Sequence, residues 1–235
     1  MPSSHDYCMG VDLTTAPWLY PGHWPARSGT LTSEGWFPGD LALAEIGLDG
    51  GRVPVVATGS NASPGVVNAR LRDHGVSQTV PFMRACVPGV VTAFAAHVSP
   101  RGYIAAAPAR RAGAEKSMWI SFLDAEQLAV VDATEGPDHV REHISDPVTL
   151  PTGEILGGYD IYRSAWGLIP GVLFARRQHV VFTHLRSRCP VPSLPEGDAE
   201  TVVRALWGDR GLADRVSGEL HALAVVDGYA GVVVR

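Results

Sequence analysis

Residues 56–63 read Val-Ala-Thr-Gly-Ser-Asn-Ala-Ser, and Pro64 follows. Upstream, Val53–Ala57 is an apolar run of strand character, with Pro54 near its start, where a missing N–H is tolerated. Downstream, residues 63–74 carry helical spacing at Val66, Val67 and Leu71. Pro64 suits the first turn of that helix and Gly75 its end. Between the two stands Gly59, whose flexibility costs entropy unless its backbone is needed there. A strand that runs through such a bend into a helix gathers unpaired N–H groups at the positive end of a dipole. Two readings stay open at this point: an ordinary N-cap on Ser60 or Asn61, or a loop that receives an anion or a developing oxyanion.

The rest of the chain sets bounds on that choice. Of 235 residues, 46% are hydrophobic and 18% charged, so a sizeable core can be buried. Mean hydropathy is +0.07. The longest apolar stretches, residues 87–98 and 222–234, are short and broken by Pro, Gly, His or Asp, so neither is expected to span a membrane. Residues 1–10 lack the basic and apolar blocks of a secretion signal. Cys8, Cys86 and Cys189 form no C-x-x-C pair, which fits a reducing, cytoplasmic setting; Cys86, opening an apolar run, reads as a small core residue. The formal net charge is −5, and the only adjacent basic pairs are Arg110-Arg111 and Arg176-Arg177. No basic stripe is interleaved with aromatics, so no nucleic-acid partner is expected.

Three parts follow from the punctuation. Residues 1–50 are read as an irregular extension, broken by Pro and Gly and carrying Trp18, Trp24 and Trp36, which suggest that it packs on the main body. Residues 51–189 form the main domain. Residues 190–235 are a linker with helices at 198–207 and 212–223. Within the main domain, strands are expected at 87–99, 103–107, 117–123, 158–164, 167–174 and 179–183. Asp124 and Gln127 read as a capping box before a short helix with Leu128 and Val131 facing inward. Strands outnumber helices and most connections are too short for crossovers. That points to a mixed α+β domain on a largely antiparallel or barrel-like sheet.

Two further patterns carry chemistry. Glu115 stands before the apolar run 118–123, where partial desolvation at a strand mouth would suit a carboxylate to proton transfer. The plainer reading pairs it with Lys116 in solvent. His139, Glu142 and His143 match H-x-x-E-H, which on a helix binds zinc through two histidines while the glutamate activates water. Pro137 and Pro147 leave that helix barely two turns. No G-x-S-x-G is present, so no serine nucleophile elbow is expected.

The ordered set resembles the gamma-glutamylcyclotransferase-like superfamily. Its pieces are the strand ending in Gly59, Ser60 and Asn61, the strands of 85–107, the acid Glu115, the run 117–123, the D-x-x-E-G of Asp132, Glu135 and Gly136, and the later Tyr159 and Tyr162. The likeness covers roughly residues 53–165. It implies a small mixed or antiparallel β-barrel with flanking helices, no cofactor, and a small gamma-glutamyl compound as partner, and it admits a homodimer. The implied reaction is intramolecular cyclisation that releases 5-oxoproline and a free amine. Carried over by position, Thr58, Gly59, Ser60, Asn61, Tyr159 and Tyr162 would bind substrate and Glu115 would be the general acid/base. Gly59 would then be glycine because a ligand approaches the backbone. Thr58 departs from the family, which usually has Tyr at that position. One of the three tryptophans is the expected replacement wall. The alternatives are a zinc hydrolase on His139, Glu142 and His143, and a non-catalytic metabolite-binding member of the same fold.

Overall fold

The computed structural model describes residues 9–39, 41–173 and 175–225. A hairpin, β1 (Gly29–Thr32) and β2 (Gly35–Pro38), precedes the one-turn helix α1 (Leu43–Ile46). Strand β3 (Val53–Ala57) passes through the 3₁₀ turn Ser60–Ala62 into α2 (Pro64–Asp73). Two long strands follow, β4 (Val80–Val98) and β5 (Ile104–Leu123), and then α3 (Ala125–Glu135). The remaining strands are β6 (His139–Ile144), β7 (Val148–Thr149), β8 (Ile155–Leu156) and β9 (Tyr159–Ser164). Helices α4 (Gln178–Ser187), α5 (Ala199–Gly208) and α6 (Arg210–Leu223) close the described chain.

Seven strands share one sheet in the order β2-β1-β4-β5-β3-β9-β6. Only β3 and β9 run parallel among the neighbouring pairs; the others are antiparallel. The sheet is therefore mixed, as expected, but it is open. Strands β2 and β6 are its two edges, so the barrel expectation is replaced by an open sheet flanked by helices. None of the described helices is long and apolar enough to cross a membrane.

The period-2 alternation of strand side chains separates two cores. Val55 and Ala57 face Leu71, Trp119, Leu128 and Val131, under α2 and α3. Val56 faces Ile120, Phe122, Tyr159 and Ile161 on the opposite side. A third cluster joins Phe94, Val98 and Ile104 to apolar residues of α4, α5 and α6. Phe82, Phe94, Phe122 and Phe182 are among the largest fully buried side chains, and truncating any one of them to Ala would cost about 3–5 kcal/mol.

Several expectations are corrected by packing. Runs 103–107 and 117–123 fall, from Ile104 on, in one strand, because residues 108–110 and 115–116 continue the ladder against β4 on either side of a bulge at 111–114, while much of that stretch faces solvent. Residues 179–183 are helical in α4. Their β-branched residues suggested a strand, but Val181, Phe182 and Leu185 make a helical stripe packed into the third cluster. Residues 167–173 form no strand; Leu168 alone bridges Ala95 and Val225, and Phe174 lies outside the described residues. The proline-rich start contains β1 and β2, and β1 pairs with β4, which ties it into the main sheet. Cys86 is exposed on β4 rather than in the core. Cys8, residues 1–8 of the signal reading, and most of the apolar run 222–234 lie outside the described residues.

Candidate active site

One cavity brings together six parts of the chain. The bend after β3 supplies Thr58, Gly59, Ser60 and Asn61, and α2 supplies Arg70. The β4–β5 turn supplies Tyr103. The end of α3 and the start of β6 supply Glu135, Asp138 and His139, and β9 supplies Tyr162. Tyr20 enters from the N-terminal segment.

The position of Glu135 follows from α3. Asp124 accepts the Gln127 backbone N–H at 2.9 Å, and Gln127 Oε1 accepts the Asp124 backbone N–H at 3.0 Å, so the expected capping box is formed. Fully buried Gln127 also donates to the carbonyls of Ser77 and Thr79 at 2.8 and 3.0 Å, which pins the start of α3 to the segment before β4. Gly136, at φ +58°, ends the helix one residue after Glu135. The carboxylate is thus presented from a helix fixed at its other end.

Both Glu135 oxygens are engaged. Asn61 Nδ2 donates to Oε1 at 2.9 Å. Arg70 Nη1 donates to Asn61 Oδ1 at 2.6 Å and stands 3.6 Å from Glu135 Oε1. His139 Nδ1 lies 3.1 Å from Glu135 Oε2. The Glu135 side chain is only 14% exposed, so these contacts act in a poorly screened setting. Asp138 has a different environment. The His97 ring, with Nε2 3.4 Å away, and the indole N–H of Trp166 at 2.9 Å hold its carboxyl at about 2, against an ordinary 3.8. The His97 contact is long, and we read it as electrostatic. Asp138 therefore stays ionised across neutral pH, which suits a fixed charge and not a proton carrier.

The tyrosines divide. Tyr162 lines the cavity, and its hydroxyl donates to Asp132 Oδ1 at 2.6 Å; burial and that carboxylate push its phenol upward. Tyr159 is fully buried on the opposite face of the sheet and does not reach the cavity, because three residues along a strand reverse the side-chain direction. Burial pushes its phenol to about 12.

Glu115 is elsewhere. It is exposed on β5, opposite Pro88 on β4. The cavity meets β5 at Ala105 and Ala106; Ala106 pairs with Phe94 and Glu115 with Pro88, so six residues along β4, roughly 20 Å, separate Glu115 from the cavity. The H-x-x-E-H residues lie on β6, not on a helix. His139 and His143 are then about 13 Å apart along the strand. His143 Nδ1 contacts Asp160 Oδ1 at 2.9 Å, and Glu142 pairs with Arg163. Among the described residues no three His, Cys, Asp or Glu side chains are grouped to hold a metal ion. The geometry removes the helical basis of the zinc reading.

Gly59 has a cause of its own. A Cβ built there would lie 2.2 Å from the Tyr20 hydroxyl oxygen, so a side chain, not a ligand, makes the close approach. None of the three tryptophans reaches this cavity. Trp36 is in the core edge-on to Phe82, while Trp18 lies under Arg204 and Trp24 under Arg176. The aromatic wall from the N-terminal segment is Tyr20, stacked on Tyr103 with ring centroids 4.2 Å apart.

Comparison with known proteins gives structural likeness alone. A solved structure described as a gamma-glutamyl cyclotransferase is 15% identical, with 77% of this chain and 93% of that chain covered and a TM-score of 0.38. A second, an uncharacterized protein from Homo sapiens (loc79017), is 16% identical over the same shares of the two chains, with a TM-score of 0.37. No family model and no curated protein matches the chain.

Of the residues singled out in the sequence, the bend and Tyr162 line the cavity and Glu115 and Tyr159 do not; the carboxylate beside the bend is Glu135. Glu135 was visible as the glutamate of D-x-x-E-G. Tyr20, Arg70 and His139 as contacts of the cavity carried no local signal, since only the fold brings them together.

Proposed function

We propose that this chain is a gamma-glutamylcyclotransferase-like enzyme that cyclises a gamma-glutamyl amide or amine, with Glu135 as general acid/base. The observation that carries the reading is the 2.9 Å hydrogen bond from Asn61 to Glu135, which sets an acid directly beside the amide-rich bend. The D-x-x-E-G spacing of Asp132, Glu135 and Gly136 supports the same assignment.

The chemistry asks little of the protein. Nucleophile and electrophile belong to one substrate, so the cavity has to hold them folded. Glu135, as the carboxylate, takes a proton from the substrate alpha-ammonium. The freed amine attacks the gamma-carbonyl carbon, and the carbonyl electrons move to oxygen. Backbone N–H groups of Gly59 and Asn61 would be the donors to that oxygen. Protonated Glu135 then gives its proton to the leaving nitrogen, and the C–N bond breaks as the carbonyl re-forms. The regenerated Glu135 carboxylate takes the second proton from the ring nitrogen and passes it to the released amine, so 5-oxoproline and an ammonium ion depart. Asn61, Arg70 and His139 hold the Glu135 carboxylate in place throughout. Asp138 supplies a standing negative charge.

The reaction uses no water, which gives a clean test. Purified protein is incubated with gamma-glutamyl amines and dipeptides in ¹⁸O-labelled water, and products are weighed by mass spectrometry. Unlabelled 5-oxoproline is the expected product. Labelled glutamate would mean hydrolysis and would overturn the reading.

A further inference from the structure

We propose that Tyr20 is a catalytic hydrogen-bond donor of this site, whose phenol O–H binds the oxygen that gains charge on the gamma-carbonyl. The proposal rests on the cyclotransferase reading and adds to it a residue from outside the region of family resemblance.

Four observations support it. Tyr20 is 5% exposed and lines the same cavity as Ser60 and Glu135. Its oxygen accepts the Ala106 backbone N–H at 2.9 Å. A phenol engaged in this way as an acceptor retains its O–H as a donor. Among the described residues no acceptor takes that hydrogen, although buried hydroxyls ordinarily find one. The remaining direction is the cavity.

The ring is also held still. Tyr103 stacks on it at 4.2 Å with planes 17° apart, and Gly59 leaves the space that the hydroxyl occupies. A donor fixed in advance costs no reorganisation when charge develops. Burial pushes the phenol upward, and the nearby Glu135 adds to this, so the group stays protonated as a donor must.

The step is a hydrogen bond, not a proton transfer. As the amine nitrogen bonds to the carbonyl carbon, the oxygen becomes anionic and Tyr20 O–H contracts onto it. When the C–N bond breaks and the carbonyl re-forms, the contact relaxes with the proton still on Tyr20. The backbone N–H groups of the bend and this hydroxyl then act on one oxygen from two sides.

The test is Tyr20→Phe in the full chain, which keeps the stacked ring and removes only the hydroxyl. Losing one such donor is expected to lower kcat by about 10²-fold with KM changed by less than about two-fold. A second readout needs no turnover: the infrared carbonyl stretch of bound ¹³C-labelled 5-oxoproline should lie lower in the wild type than in Tyr20→Phe. An unaltered kcat and an unshifted carbonyl band in Tyr20→Phe, beside an inactive Glu135→Gln, would overturn the Tyr20 proposal and leave the cyclotransferase reading standing. A wild-type protein that neither turns over gamma-glutamyl compounds nor binds 5-oxoproline would overturn both.

Discussion

Asn61 Nδ2 and Glu135 Oε1 stand 2.9 Å apart although 74 residues separate them in the chain. This contact ties the bend after β3 to the end of α3. It closes because β3 lies beside β5 in the sheet and α3 follows β5 directly.

Gly59 and Tyr20 make the first prediction. Gly59→Ala would put a methyl 2.2 Å from the Tyr20 oxygen. The clash costs roughly 1–3 kcal/mol, as for overpacking. Tyr20→Phe/Gly59→Ala should recover part of that loss, because the clashing atom is gone. Chemical unfolding of the two single variants and the double variant checks it. Strict additivity would contradict the contact.

Arg70 makes the second. Its guanidinium holds Asn61 Oδ1 at 2.6 Å and faces Glu135, and both charged side chains are about 15% exposed or less. Arg70→Met leaves a buried carboxylate with one cation fewer, and roughly 1–3 kcal/mol of stability should be lost. Arg70→Lys keeps the charge but not the planar fork, and should fall between the two. Thermal unfolding with a parallel activity assay separates them. A methionine variant with wild-type stability would refute the support role.

Asp138 gives a pH dependence. Its carboxyl is held at about 2 in the folded chain, against 3.8 unfolded, with His97 the largest cause. A depressed folded value means that the contribution to stability is complete above 3.8 and fades as pH falls toward 2. The stability gap between wild type and Asp138→Asn should then be flat from neutrality to about pH 4 and shrink below it. Urea unfolding across that range measures it. A gap that widens with acid would reverse the sign and refute the assignment.

What could be read in advance follows a physical line. Strand β3, the helix after it and the α3 capping box rest on local patterns: an apolar run, a proline at a first turn, and an Asp three residues from a Gln. The middle of β5 was hidden, because Arg110, Glu115 and Lys116 look like a loop and are paired with β4 on either side of a bulge at 111–114. That one hidden stretch misplaced Glu115 at a strand mouth. Residues 178–187 carry β-branched residues, and only the apolar cluster beneath them makes a helix the better choice. His139 looked like half of a zinc motif, whereas β9 draws it into a strand. Tyr20 could not be found from sequence, since nothing in residues 17–24 signals that its hydroxyl meets Gly59.

The central claim is that Glu135, not Glu115, moves the proton. The direct measurement is kcat for release of 5-oxoproline by Glu135→Gln and Glu115→Gln side by side. The glutamine keeps shape and hydrogen-bonding reach while removing the titratable group. Glu135→Gln should lose about 10²–10⁴-fold, the usual size of a general acid–base contribution, while Glu115→Gln stays within about two-fold of wild type. Full activity in Glu135→Gln, or a collapse confined to Glu115→Gln, would contradict the account.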